Sequence, residues 1–177
     1  MIHDNFLPKY YLKELQEYFL GDNCEWHYSP NTTYYCPDDI DFGSMGFSLN
    51  LCVDGEYFPT FPATLCRSLI TSAQEIAEDF SKSLMKPYRA RADMTIYNPD
   101  RFRHSIHTDY NFPHTTAIFY LNTSDGNTLL FDDDKIVNEI EPVENRLFVF
   151  DGLSPHTGHS PSQHKQRVLI NMNFVKK

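Results

Sequence analysis

From Tyr88 to the C-terminus the chain is cut into short β-prone runs by turn-forming residues, and nothing else in it constrains the fold as much. Arg89, Arg91, Asp93 and Thr95 alternate with Ala90, Ala92, Met94 and Ile96, the period-2 pattern of a strand whose two faces meet different surroundings. Further strand candidates are Ile106 to Tyr110, Thr115 to Leu121, Thr128 to Phe131, Arg146 to Phe150, His156 to Ser160 and Arg167 to Val175. Between them lie turn formers such as Ser124-Asp125-Gly126-Asn127, Asp151-Gly152 and Pro161-Ser162. Many short strands at this spacing predict a sandwich or jelly roll, and 14 Phe with 11 Tyr suit packed β structure.

The first half of the chain reads as support for that core. Leu12, Leu15 and Phe19 recur at helical spacing within Lys9 to Leu20, and Gly21 supplies a stop. Cys24 to Ser29 and Gly46 to Val53 read as strands, with Pro30 to Gly46 as a long irregular loop between them. Leu65, Leu69, Ala73, Ile76, Phe80 and Leu84 then form one helical stripe, ended by Pro87. Such a helix covers one face of a sheet. The expected class is mainly β with helices (α+β): one domain over 1–177, core at about 88–175, with helical and strand support over 1–87.

The balance of 24 acidic against 15 basic residues, a net charge of −9, argues against a nucleic-acid partner, because phosphate backbones select basic surfaces. Cys24, Cys36, Cys52 and Cys66 are widely spaced, with no C-x-x-C pair to hold zinc. The start lacks a basic region followed by a long apolar one, and no apolar run approaches bilayer length. The expectation is a cytoplasmic protein with reduced thiols and no membrane partner.

The residues that carry chemistry are His107-Thr108-Asp109, His156 and Arg167. On an extended strand i and i+2 share a face, so His107 and Asp109 present an imidazole and a carboxylate side by side. A lone His-x-Asp is a common accident. With His156 it becomes a two-histidine, one-carboxylate set that occupies one face of Fe(II) and leaves positions open for substrate and O2. Arg167 follows eleven residues after His156, a distance that allows a hairpin and brings a carboxylate-binding fork of donors into the same cavity. His104 and His159, each three residues from a candidate ligand, are expected on the opposite faces of their strands.

In these ordered features the chain resembles the Fe(II)- and 2-oxoglutarate-dependent dioxygenases, in particular the prolyl 4-hydroxylase-like group. The resemblance runs from about Tyr88 to Phe174 and includes Thr95-Ile96-Tyr97, Ile118-Phe119-Tyr120-Leu121-Asn122, Gly126-Asn127-Thr128-Leu129 and Arg167-Val168-Leu169-Ile170. It implies a double-stranded β-helix, a cupin-like jelly roll, with the N-terminal helices packed on one sheet. It further implies His107, Asp109 and His156 as iron ligands and Arg167 as the anchor for the distal carboxylate of 2-oxoglutarate. Tyr120 is implied to assist Arg167, and Tyr97 to line the same pocket. Fe(II) as metal, 2-oxoglutarate and O2 as cosubstrates, and ascorbate as a reductant follow from the same likeness.

The expected activity is hydroxylation of a C–H bond with formation of succinate and CO2, on a peptidyl, prolyl-type substrate or on a small molecule. The competing expectation is a cupin-like jelly roll that binds a metal without turnover and has no need of Arg167. Gly126-Asn127 stands where the family often has Gly-Gly, and Asn173 where a large aromatic is common. Asn171 and Asn173 share the parity of Arg167 and are weaker candidates for the cavity wall.

Overall fold

The computed structural model describes residues 1–30, 32 and 45–177. The loop expected over Pro30 to Gly46 falls almost wholly on 31 and 33–44, outside the described residues. In chain order the elements are β1 (Ile2–His3), α1 (Lys9–Phe19), β2 (His27–Ser29), β3 (Gly46–Val53), β4 (Glu56–Tyr57), α2 (Phe61–Leu65) and α3 (Arg67–Ser81). They continue with β5 (Met85–Ile96), β6 (Thr115–Tyr120), β7 (Thr128–Asp132), β8 (Lys135–Ile140), β9 (Arg146–Asp151), β10 (His156–Gly158) and β11 (Gln166–Lys176).

The strands form two antiparallel sheets, the jelly roll that the resemblance implies and one of the two architectures that the strand spacing allows. The larger runs β1-β9-β6-β11-β5-β3-β2 with β4 paired to β3, and the smaller runs β10-β7-β8. Strand alternation gives the large sheet two different faces. Ala90, Ala92, Ala117, Phe119, Val149, Ile170 and Met172 pack outward against Leu15, Phe19, Leu69, Ile70, Ala73 and Ala77 of the helices. The opposite face, turned towards the small sheet, is apolar only in part. Ile118, Tyr120, Phe148, Phe150 and Leu169 join Leu130 and Ile140 in a second core. Arg89, Arg91, Asp93 and Thr95 of β5, with Asn171 and Asn173 of β11, share the inner face by register. A polar inner wall beside a dry one marks the site.

Three expectations need correction. The helix stops at Ser81 with Lys82 in the left-handed region at φ 53°, not at Pro87. Leu84 lies beyond it, exposed, and the buried stripe is Leu69, Ile70, Ala73 and Ala77. Pro87 sits inside β5 opposite the register shift at Asn173/Phe174, where a residue without an N–H is tolerated. Ile106 to Tyr110 is not a strand; it touches the small sheet through a single bridge, His107 to His156. Finally β8 goes unforeseen, because its residues are exposed except Ile140 and carry no alternation to read. Cys24, Cys52 and Cys66 are free thiols, and no helix among the described residues is long and apolar enough to cross a membrane.

Candidate metal centre

His156 opens β10 in the small sheet, and one bridge carries His107 to its side: His107 N donates to His156 O at 3.0 Å and His156 N to His107 O at 2.8 Å. The chain then leaves the sheet, which lets Asp109 turn into the same space. The ligand atoms of His107, Asp109 and His156 all lie within 4.8 Å of one another, with His107 Nε2 4.0 Å from Asp109 Oδ1. The structure brings the three candidate ligands together.

Each imidazole is oriented by its own backbone. Nδ1 of His107 lies 3.0 Å from the Ser105 carbonyl and Nδ1 of His156 3.0 Å from that of Ser154. A carbonyl only accepts, so Nδ1 carries the proton and Nε2 offers its lone pair towards the other ligands, as metal-binding histidines require. Burial, then the neighbouring His107 ring, lowers the His156 pKa to about 4, so this ring is neutral near pH 7. For Asp109, burial opposes ionisation but is outweighed by His156, Arg89, Asn173 and His107, and the carboxyl is held below the usual range. Its oxygens accept from Asn173 Nδ2 at 2.8 Å, Asn171 Nδ2 at 3.2 Å and Arg89 Nη1 at 3.4 Å. Two neutral nitrogens and one fixed anion suit a divalent iron with open positions.

The cavity beside the triad is lined by Arg91, Asp93, Thr95, His104, Ile118, Thr128, Leu169, Asn171 and Arg167. Arg167 is 7% exposed, and no carboxylate among the described residues pairs with it. Its Nη2 donates to Thr128 Oγ1 at 2.6 Å, and the Tyr120 hydroxyl donates to the same oxygen at 2.8 Å. With both lone pairs taken, the Thr128 hydroxyl proton is left to donate to a ligand. Burial lowers the Arg167 pKa, and Arg167 Nε, Thr95 Oγ1 and Asn171 Oδ1 have no hydrogen-bond partner in the protein. Of these the Arg167 Nε–H and the Thr95 hydroxyl can donate, and buried unpaired donors beside a guanidinium call for an anion.

The other expected residues divide. Tyr120 is fully buried and acts on the cavity wall through Thr128, with its ring 5.8 Å from the Arg167 guanidinium carbon. Tyr97 does not line the cavity: β5 ends at Ile96, and Tyr97 is 53% exposed, its N–H bound to the Lys165 carbonyl. Thr95, the last residue of β5 facing inward, lines the cavity where Tyr97 was expected. His104 is also corrected. Off a regular strand the parity rule lapses, and His104 faces the cavity with its ring between Ser160 Oγ and Thr32 Oγ1. Sequence reasoning missed Thr128, Arg89, Arg91 and Asp93. The polar-apolar alternation of β5 was the available signal, since its polar side had to face something other than the helices.

The family model of the 2OG-Fe(II) oxygenase superfamily matches residues 92–175. No curated protein matches the sequence. Among solved structures, a prolyl hydroxylase from Trichoplax adhaerens in complex with a hypoxia inducible factor oxygen degradation domain peptide superposes with TM-score 0.72 at 15% identity, covering 99% of this chain and 83% of that one. A Pseudomonas putida prolyl-4-hydroxylase gives 0.66 at 18% identity, covering 100% and 92%. The 2-oxoglutarate-dependent epimerase SnoN from nogalamycin biosynthesis gives 0.70 at 12%, covering 99% and 77%. At such identities the likeness is one of fold. Over residues 92–175 the chain thus matches the 2OG-Fe(II) oxygenase superfamily, whose members use Fe(II) and 2-oxoglutarate with O2, and its clustered triad offers the metal site that such chemistry needs.

Proposed function

We propose that the protein hydroxylates a C–H bond at the His107, Asp109 and His156 centre, with 2-oxoglutarate converted to succinate and CO2. The observation that carries this reading is one cavity with His107 and His156 of the triad at one side and the buried Arg167, with no carboxylate partner among the described residues, in its wall. Fe(II), when bound, supplies the O2 chemistry that couples decarboxylation to oxidation of the substrate. Asp109 gives the metal its one protein charge, and the two imidazoles add none. Arg167 and Thr128 hold the far carboxylate of the cosubstrate, which fixes its orientation without any further acid or base. Ile118, Leu169, Phe148 and Phe150 form the dry side of the interior, and Phe150 stands edge-on to His156 with centroids 5.1 Å apart. This side limits access of water to the reacting atoms.

The likeness to prolyl hydroxylases supports a peptidyl, prolyl-type substrate. A small-molecule substrate is the second reading, favoured by the charged wall that Arg91 and Asp93 add to the cavity. A metal-binding module without turnover leaves the cost of burying Arg167 unexplained. The test is spectroscopic: anaerobic Fe(II) plus 2-oxoglutarate should give a visible charge-transfer band, and Arg167→Ala should weaken cosubstrate binding by about tenfold or more. Equal 2-oxoglutarate affinity in wild type and variant would remove Arg167 from this role.

A further inference from the structure

A second cleft opens on the other side of the triad, lined by Arg89, Arg91, His107, Asp109, Tyr110 and Asn111. It meets the cosubstrate cavity at Thr32, Arg91 and His107, which line both. With Arg167 and its carboxylate on the inner side, this cleft is the way in for the group that is oxidised. We infer that it takes a substrate with a free carboxylate close to the reacting carbon, a small organic acid rather than a residue within a peptide chain. The inference rests on the iron and 2-oxoglutarate reading above and takes the small-molecule substrate over the peptidyl one.

The charges lead to that class. Arg89 and Arg91 face the cleft with side chains 16% and 23% exposed, in a chain whose acidic residues outnumber its basic ones 24 to 15. The acid they share the cleft with, Asp109, is committed to the metal. Asp93 stands behind Arg91 in a close ion pair, its Oδ1 2.6 Å from Arg91 Nε. Fe(II) with Asp109 and two neutral imidazoles carries one positive charge, and Arg167 a second; the 2-oxoglutarate dianion cancels both. Among the described residues that line the two cavities, Arg89 and Arg91 then face Asp93 alone, whose carboxyl burial pushes towards its neutral form, so the balance left over is positive. An anionic group offsets it, whereas a mid-chain residue with neutral amides leaves it bare.

The donor geometry agrees. Guanidinium forks match a carboxylate in two parallel bonds. Arg91 spends Nη2 on the Thr32 carbonyl at 3.1 Å, and the bonds of Arg89 to the described residues are long, 3.4 Å to Asp109 and 3.5 Å to Asn173 Oδ1. The opposite wall is rigid. The Tyr110 ring is stacked on Phe112 with centroids 4.8 Å apart at 22°, and Tyr88 closes edge-on at 5.2 Å. The Tyr110 ring, which lines the cleft with Arg89 and Arg91, offers a flat or cyclic skeleton a face to stack on.

The experiment uses the whole chain loaded with Mn(II) and saturating 2-oxoglutarate, so that Arg167 is engaged. Saturation-transfer NMR then ranks matched pairs: benzoate against benzamide, phenylacetate against phenylacetamide, and N-acetylproline against N-acetylprolinamide. At least one acid should bind about tenfold or more tightly than its amide, and both Arg89→Gln and Arg91→Gln should shrink that ratio towards one. Amides binding as well as acids, no acid binding at millimolar concentration, or a ratio that survives both substitutions would overturn the inference. Failure of wild-type protein to bind 2-oxoglutarate at all would strike the cosubstrate reading instead, so the two failures are distinct.

Discussion

Asp109 has two carboxylate oxygens, and a metal with open positions is best served by one of them. The other is taken: Asn173, fully buried, donates to Oδ2 at 2.8 Å and shares the same amide nitrogen with Thr116 Oγ1 at 3.1 Å. Asn171 approaches both oxygens from two residues earlier on β11, at 3.4 and 3.2 Å. Parity on one strand therefore supplies two amides to one carboxylate, and Asn173 orients a candidate ligand. Partners of this kind typically contribute 10–100-fold to metal affinity. Asn173→Ala should weaken Mn(II) binding by about that factor, read by titration calorimetry, and Asn171→Ala should weaken it less. Because a cavity at a fully buried site also lowers stability, melting of the metal-free variants is measured alongside. An Asn173→Ala protein that binds Mn(II) like wild type would show that Asp109 needs no such support.

At the level of elements, the loops between strands are shaped around Arg167. A methyl group added at Gly126 would lie 2.6 Å from the His159 carbonyl oxygen and 2.9 Å from Arg167 Cδ, and one at Gly158 would lie 3.0 Å from Arg167 Nη1. The arginine stem is thus gripped between the turn before β7 and the end of β10. Gly126→Ala should destabilise the fold by about 1–3 kcal/mol, the usual cost of overpacking, and raise the Kd for 2-oxoglutarate by displacing the guanidinium. Unchanged melting together with unchanged affinity would mean the stem is free to move. Sequence pattern made β3, β6, β7, β9 and β11 legible, because their buried faces impose strict alternation or continuous apolar runs. It made the triad and Arg167 legible as a set. What it missed follows from the same physics: β8 buries almost nothing and so leaves no pattern. The 106–110 segment carries strand-like residues but, once past the His107 bridge, turns into the cavity. Tyr97 kept the inward parity of Arg91, Asp93 and Thr95 on paper, yet parity ends where β5 does.

For the whole molecule, the interior holds a titratable group outside the triad that couples stability to pH. His104 is 3% exposed, and burial first, then Arg167, His159 and His107, lowers its pKa to about 4. An unfolded histidine titrates near 6.5, so between these values the unfolded chain binds the proton more readily than the folded one. Stability then rises with pH across the window. The contribution is complete above about 6.5 and is lost as pH falls towards 4. His156 acts in the same direction. Asp125 belongs to a lower window: its burial is outweighed by His164 and Ser162, which hold the carboxyl down, so its share goes only below about pH 4. Urea unfolding of the metal-free protein should therefore show a midpoint that drops between pH 7 and 4.5. His104→Gln should be less stable at pH 7, having lost the fit between Ser160 and Thr32, but its midpoint should fall less steeply. Wild-type and variant curves that run parallel through this range would assign the slope to other groups.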